Sequence, residues 1–239
     1  MLNNIDLTKV LVLDVETVPQ YDGFNEMPEQ WQKLWIKKAQ FLKKEPTENE
    51  SDIYNRAGIY AEFGKIICIS VGYFSSNGKG YSFKVKSFYG DDEIQILKEF
   101  SALVERHFSD AGYLLCAHNG KEFDFPYIAR RCVINGLSIP DILNTSGKKP
   151  WEVNLLDTME LWKFGDYKSF TSLELLATAL NIKTPKDDID GSEVWRIYWH
   201  EKNIERIKNY CQKDVVTVAR LLLKFKDNSE LLDEDIKYA

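Results

Sequence analysis

Acidic residues that follow apolar segments are the part of this sequence most able to do chemistry. Asp14 and Glu16 stand two residues apart in KVLVLDVET (9–17), whose continuous apolar character predicts a central strand covered on both faces. Residues two apart on a strand project from one face, so the two carboxylates would lie together. Buried like charges persist readily only where a cation or hydrogen-bond donors compensate them. The pair therefore indicates a cation site, unless this strand end is exposed and Glu16 merely begins a loop.

Two further acids occur in comparable surroundings. Asp124 follows the apolar run YLLCA (113–117), which predicts a second buried strand, and it stands at the start of a predicted helix. Tyr210 and Asp214 are four residues apart on a helix predicted over about 201–226, which places them about 40° apart around its axis. Carboxylates with few histidines and no paired cysteines favour a hard cation, Mg²⁺ or Mn²⁺, over zinc.

Each of these residues also has a purely structural interpretation. Asp124 could be a helix N-cap, and Asn119 a turn residue. Asp214 could be a surface acid paired with Lys213 or Arg220. For Asp157, which ends another apolar run, the N-cap interpretation is the preferred one. We expect most of the nearby basic residues to be solvated surface, with some phosphate contacts among them: Lys121, Arg130, Arg131, Lys148 and Lys149.

The surrounding pattern predicts an α/β fold. The turn residues Asn77-Gly78 indicate a hairpin of two strands, 65–74 and 80–90. Apolar spacing predicts helices over 91–108 and 125–136, a strand over 112–119, and a short strand and helix within 153–164. A capping box of Thr171 and Glu174 predicts the start of a further helix. Segment 20–63 differs, because an amphipathic helix with Trp31 and Trp35 follows Pro28. We interpret it as an insertion whose tryptophans either form a lid beside the site or cover the sheet edge.

Composition limits the class of protein and its partners. With 239 residues and 44% hydrophobic residues, the chain can bury a substantial core. Four cysteines without metal-finger spacing are typical of reduced, buried thiols: Cys68, Cys116, Cys132 and Cys211. We expect a cytoplasmic protein, since neither a signal peptide nor a bilayer-spanning apolar run is evident. The net charge of −6 argues against a protein that binds long duplex DNA through counterion release. Bound divalent cations could still reverse the local charge and allow the protein to bind one end of a nucleic acid.

Three motifs in this order resemble the DEDD superfamily of 3′–5′ exonucleases: LDVET (13–17), HNGKEFDFPYIARR (118–131) and YCQKD (210–214). The second is especially similar to the proofreading exonuclease domain of family-B DNA polymerases. Tyr210, four residues before Asp214, fits the subclass with tyrosine, known as DEDDy. The alternative subclass would need a histidine at position 209, which is Asn209.

The resemblance implies a ribonuclease H-like fold, a mixed sheet flanked by helices, and one exonuclease domain over 1–239 with a helical insertion at about 20–63. It also implies two Mg²⁺ or Mn²⁺ ions about 4 Å apart. Asp14 would bridge them, Glu16 and Asp214 would complete the first, and Asp124 would hold the second. Tyr210 would orient the attacking water. The implied substrate-binding residues are Thr17, Asn119 and Phe123.

The function expected from the resemblance is 3′–5′ exonuclease activity on single-stranded nucleic acid, with DNA as the preferred substrate. We expect no interaction with a membrane. An exoribonuclease remains open, because these motifs carry little information about the 2′-hydroxyl. A non-catalytic nucleic-acid-binding module on the same fold is the alternative from another class. The presence of all four acids together with Tyr210 favours the enzyme.

Overall fold

A mixed sheet runs through the protein and carries the acidic motifs at one end. The computed structural model describes residues 2–43, 45, 47–76, 78, 80–110, 112–166, 168, 170–184 and 189–239. Within these residues the sheet has six strands: Val10–Pro19 (β1), Gly64–Ser76 (β2), Tyr81–Tyr89 (β3), Leu114–Ala117 (β4), Leu155–Asp157 (β5) and Ile236–Tyr238 (β6). Their order is β5-β4-β1-β2-β3-β6, so β1 is central as predicted. β1, β2 and β3 are antiparallel neighbours, β4 and β5 run parallel to β1, and β6 runs parallel to β3.

Helices cover both faces of the sheet. Their bounds are Glu29–Ala39 (α1), Glu93–His107 (α2), Asp124–Ile134 (α3), Thr158–Lys163 (α4), Leu173–Ala179 (α5), Val194–Arg196 (α6) and Ile204–Lys226 (α7). No described helix is long and apolar enough to cross a membrane. The four cysteines are free and buried, as the sequence predicted.

The alternation along β1 decides which layer each side chain joins. Leu11, Leu13 and Val15 belong to the apolar cluster shared with α2 and α3. Val10 and Val12 belong to the opposite cluster, which includes the buried face of α7. Continuing that alternation puts Asp14 and Glu16 on the α7 face. The two acids therefore occupy positions where the strand is covered by a long helix.

A β-bulge interrupts the pairing of β1 with β2 at the acidic end. Glu16 pairs with Cys68, whereas the next residue, Thr17, pairs with Ile66, so Ile67 is the extra residue on β2. A bulge bends its strand and increases the local twist. The bulge therefore bends β2 opposite the second acid of β1.

Segment 20–63 has its own small apolar cluster, centred on Trp35. Trp31 packs edge-on against Phe63 at 5.7 Å between ring centroids. A 3₁₀ turn, Tyr54–Ile59, brings Gly58 onto β1, where a Cβ at this position would meet the Val18 backbone carbon at 3.0 Å. The Gly58 carbonyl accepts hydrogen bonds from the Thr17 hydroxyl at 2.9 Å and from the Tyr127 hydroxyl at 2.7 Å. The tryptophans therefore pack within the segment, and its 3₁₀ turn contacts the central strand.

Two predicted helix starts are wrong in detail. Ser172, and not Thr171, caps α5, because its hydroxyl accepts from the Leu175 N–H at 3.2 Å. The last helix begins at Ile204 because the preceding π-helix, Ile197–Glu201, ends with Lys202 in the left-handed region. In the predicted hairpin turn, Asn77 lies outside the described residues, while Gly78 has a φ of +78°.

Arg131 is a structural residue and not the surface or phosphate-contacting residue expected from the sequence. Its side chain is 5% exposed and forms an ion pair with Glu93 at the start of α2. The guanidinium also donates to the Ala61 carbonyl at 2.8 Å. Glu93 additionally accepts from the Ile66 N–H at 2.7 Å. This buried pair therefore joins α3, α2, β2 and the end of segment 20–63.

We expect Arg131→Met to lower the free energy of unfolding by about 3–5 kcal/mol, because Glu93 would remain buried without its charged partner. Adding Glu93→Gln to Arg131→Met should recover part of this loss. Arg130→Met, at an exposed neighbouring position, should change it by less than about 0.5 kcal/mol. Urea unfolding of the four proteins measures these differences. Equal stability of Arg131→Met and wild type would contradict the role of the pair.

Candidate active site

The acidic end of β1 forms the centre of the site. Carboxylate oxygens of Asp14 and Glu16 and the Cys211 Sγ lie within 4.8 Å of one another. No other group of His, Cys, Asp or Glu in the described part of the chain meets this distance. Glu16 is buried, Asp14 is half-buried, and Asp14 Oδ2 has no hydrogen-bond partner. A buried oxygen in this state is unfavourable unless a cation or donor reaches it.

Asp124 reaches this site from the first turn of α3. It is the first residue of the helix and not its N-cap, a position that Phe123 occupies without a side-chain cap bond. The N-cap interpretation of Asp124 is therefore wrong, and its buried carboxylate is available for another role. The backbone N–H groups of Asp124 itself and of Val15 hydrogen bond to that carboxylate.

The loop before α3 is held by Asp157, the residue between β5 and α4. As predicted, Asp157 caps α4, since it accepts from the Met159 N–H at 2.9 Å. Its carboxylate also accepts from the N–H groups of Asn119 at 3.0 Å and Lys121 at 3.1 Å. Asn119 has a φ of +61°, so the turn interpretation is confirmed. One buried acid thus fixes both the α4 cap and the loop that leads to Asp124.

Helix α7 supplies the last two residues. The Tyr210 hydroxyl hydrogen bonds to the Asp214 carboxylate. The Cys211 thiol lies between them in sequence and donates to the Asp14 backbone carbonyl at 3.4 Å, which fixes α7 against β1. Arg220 does not pair with Asp214; it pairs with Asp233 at 2.6 Å.

The four acids lie close enough to affect one another's pKa values. Burial, followed by the Asp124 charge, raises the pKa of Asp14 to about 7. Burial raises the pKa of Asp124 to about 7, with Asp157 and Asp214 as the acids that add to this shift. Burial and the charges of Asp14 and Asp214 hold the pKa of Glu16 well above its usual range. Groups perturbed in this way, in one place, are typical of functional sites.

Tyr210 responds to the same charges. Burial, and then the Asp214 charge, raises the pKa of its hydroxyl far above the ordinary value of about 10. The hydroxyl therefore remains protonated at neutral pH and acts as a hydrogen-bond donor. Burial also raises the pKa of the Cys211 thiol, so sulfur is a poor ligand here.

The donor set fits Mg²⁺ or Mn²⁺. Four carboxylates converge, Asp14 Oδ2 is buried without a partner, and the neighbouring sulfur is held as a protonated thiol. Hard divalent cations prefer oxygen ligands, and they relieve the repulsion between clustered carboxylates.

A cavity of about 400 Å³ opens beside the acids and has the size of a small-ligand site. Glu16, Thr17 and Phe123 line it, whereas Asn119 does not. The sequence analysis missed the other walls: Asn55, Arg56, Gly58 and Ile59 from segment 20–63, and Gly191, Ser192 and Trp195 before α7. No local pattern marks these residues, because their role depends on segments distant in sequence.

A model of a family described as predicted 3′–5′ exonucleases related to the exonuclease domain of PolB matches residues 59–238. The chain belongs to this family. The match includes Asp124, Tyr210 and Asp214 but not β1 with Asp14 and Glu16. The recognition of a polymerase-type 3′–5′ exonuclease from the three motifs is thereby confirmed.

The family B DNA polymerase from the hyperthermophilic archaeon Pyrobaculum calidifontis has a similar structure, with a TM-score of 0.55 at 16% sequence identity. The similarity covers 90% of this chain and 24% of the polymerase, so the chain spans about a quarter of that protein's length. At this identity the likeness shows the fold alone, and it confirms the predicted ribonuclease H-like arrangement. No curated protein matches the chain significantly.

The raised pKa values predict a dependence of stability on pH. Because the pKa of Asp14 is about 7 in the folded protein and about 4 when unfolded, the folded state binds more protons between these values, and stability falls as pH rises through them. Without divalent metal, Asp14→Asn should therefore be more stable than wild type by at least about 1 kcal/mol at pH 8.5, and nearly equal to it at pH 4.5. Asp110→Asn, at an exposed site, is the matched control. Chemical unfolding of the proteins at both pH values measures these stability differences. A difference between Asp14→Asn and wild type that is the same at both pH values would contradict a raised pKa at Asp14.

Proposed function

We propose that this protein is a metal-dependent 3′–5′ exonuclease that hydrolyses the terminal phosphodiester bond of single-stranded nucleic acid, with DNA as the preferred substrate. The observation that carries the proposal is the convergence of Asp14, Glu16, Asp124 and Asp214 with Tyr210, beside a cavity large enough for a small ligand. Membership of the family supports the reaction class.

The four carboxylates would hold the cations, with Asp14 central because Glu16 and Asp124 both lie close enough to affect its charge. Two bound Mg²⁺ or Mn²⁺ ions would supply Lewis-acid stabilisation of the phosphate and would lower the pKa of water. Because the pKa values of Asp14 and Asp124 are raised to about 7, cation binding would release protons that these carboxylates partly hold at neutral pH.

Tyr210 would orient the attacking water. Its hydroxyl already donates a hydrogen bond to Asp214, so it would accept one from the water, and its raised pKa argues against a role as general base. Thr17 and Phe123 would contact the terminal nucleotide from the cavity wall. Asn119, whose side-chain oxygen is buried without a hydrogen-bond partner, would contact the same nucleotide from the adjacent turn.

The proposal is tested with single-stranded DNA and RNA oligonucleotides labelled at the 5′ end and incubated with protein and Mg²⁺ or Mn²⁺. We expect a ladder of products that shorten from the 3′ end, formed faster from DNA, and no ladder with EDTA. Asp14→Asn should reduce the rate by at least about a hundredfold, because it removes a carboxylate from the centre of the site. Wild-type protein that leaves both oligonucleotides intact would refute the exonuclease, and faster cleavage of RNA would refute the DNA preference.

Substitution of Tyr210 separates water orientation from metal binding. Tyr210→Phe keeps the ring and all four carboxylates, so the rise in melting temperature on adding Mn²⁺ should equal that of wild type. The single-turnover rate with saturating Mn²⁺ should fall about ten- to a thousandfold, with kcat affected more than KM.

Asp214→Asn is the contrasting variant, because it should reduce both the Mn²⁺-induced stabilisation and the rate. Tyr113→Phe, whose ring packs against Phe108, is the matched control and should cleave normally. A Tyr210→Phe protein with the wild-type single-turnover rate would show that another group positions the water.

A further inference from the structure

The cavity beside the acids has walls from three separate parts of the chain. Phe123 comes from the loop before α3, Ile59 from the 3₁₀ turn of segment 20–63, and Trp195 from α6. Residues 55–58 of the insertion lie outside the family match, so this part of the wall is not described by the family model. Each of the three parts thus contributes one large apolar side chain to the wall.

Trp195 is held firmly by its neighbours in sequence. Val194, the first residue of α6, and Ile197, which follows that helix, are buried in one apolar cluster with Val18 and Ile67. The Trp195 ring meets the His200 ring edge-on at 4.9 Å between centroids. The ring is half-buried and lines the cavity. Because buried residues before and after Trp195 and the His200 ring already restrict its side chain, Trp195 would lose little side-chain entropy when a ligand packs against it.

Hydrogen bonds and close packing also hold the part of the wall that comes from segment 20–63. A Cβ at Gly58 would lie only 3.0 Å from the Val18 backbone, and the Gly58 carbonyl accepts hydrogen bonds from Thr17 and Tyr127. Arg56 is tied back to the Leu42 carbonyl at 2.9 Å. Ile59 is the next residue along this turn, lines the cavity, and is 50% exposed. An aliphatic side chain left this exposed beside a cavity is available to a bound ligand.

A planar ligand group joined to a phosphate matches these walls, because Phe123, Ile59 and Trp195 offer apolar contacts beside Glu16. The cavity reaches Glu16, so a group bound there lies next to the position of phosphate chemistry. Aromatic faces stack on every nucleobase, whatever its hydrogen-bonding edge. Among the described residues that line the cavity, only Arg56 and Glu16 carry a full charge, and Arg56 already donates to the Leu42 carbonyl.

We propose that Trp195 is a substrate-specificity residue that stacks on the base of the 3′-terminal nucleotide, while Ile59 of the insertion packs against the same nucleotide. This inference rests on the proposed exonuclease function and adds the requirement for an unpaired terminal base. The insertion thereby acts as a fixed wall of the binding cavity. The nuclease should remove any of the four bases and should discriminate against an abasic 3′ end.

A thermodynamic cycle between Trp195 and the terminal base tests this role. Two fluorescent single-stranded DNA oligonucleotides differ only at the 3′ terminus, which carries either a thymine nucleotide or a tetrahydrofuran abasic residue. Their dissociation constants are measured by anisotropy, with Ca²⁺ in place of Mg²⁺ and with uncleaved DNA verified on a gel. The proteins are wild type, Trp195→Leu, Trp195→Phe and the control Trp151→Ala, whose tryptophan is 75% exposed and outside the cavity wall.

For wild type, loss of the base should weaken binding about five- to a hundredfold, as expected for one stacked base. Trp195→Leu should lose a similar factor on the thymine end and less than about twofold on the abasic end. Trp195→Phe should lie between wild type and Trp195→Leu, and Trp151→Ala should match wild type. In cleavage assays with Mg²⁺, the Trp195→Leu defect should appear in KM and leave kcat within about threefold.

Equal losses by Trp195→Leu on both oligonucleotides would overturn the proposal, because the tryptophan would then support the fold and not the base. No loss on either would overturn it as well. If coupling to the base is found while wild type cleaves nothing, the stacking role stands and the exonuclease function fails. If wild type cleaves but the cycle shows no coupling, the exonuclease stands and the stacking role fails.

Discussion

The repulsion between carboxylates at the buried end of β1 is the constraint to which much of this structure responds. Asp14 and Glu16 occupy the face of a central strand that a 23-residue helix covers, and Asp124 adds a third charge from the side. Burial removes hydration and strengthens each pairwise interaction, so the acids raise one another's pKa values. An arrangement of this kind is unfavourable for folding by itself. It is maintained where the same repulsion becomes attraction for a divalent cation.

The scaffold holds these acids in place with interactions that carry no catalytic role. The Cys211 thiol bonds to the Asp14 backbone and fixes α7. Asp157 holds the loop before Asp124 through two backbone N–H groups. The buried pair of Glu93 and Arg131 ties α3 to α2 and to the end of the insertion. Each contact links segments far apart in sequence, so the site is rigid before any ligand arrives, which limits the entropy lost on binding.

The insertion gains a physical role from its position. Its tryptophans form its own small core, while its 3₁₀ turn docks Gly58 on β1 and presents Ile59 to the cavity. The β-bulge at Ile67 bends the neighbouring strand β2 at the same place. Together these features build a cavity that Glu16 lines at one place and Phe123, Ile59 and Trp195 line at others.

The sequence by itself determined the features that depend on neighbouring residues. Alternation along 9–17 placed Asp14 and Glu16 on one face of a doubly covered strand, and helical spacing paired Tyr210 with Asp214. Helix ends were less certain, because adjacent Thr171 and Ser172 can both cap and only packing selects between them. Only the tertiary structure decided that Asp124 is not a cap, that Arg131 is buried, and that Trp195 and Ile59 meet at one cavity. Contacts between residues 38 or more positions apart leave no periodic signal, since their energy arises only when the chain has folded.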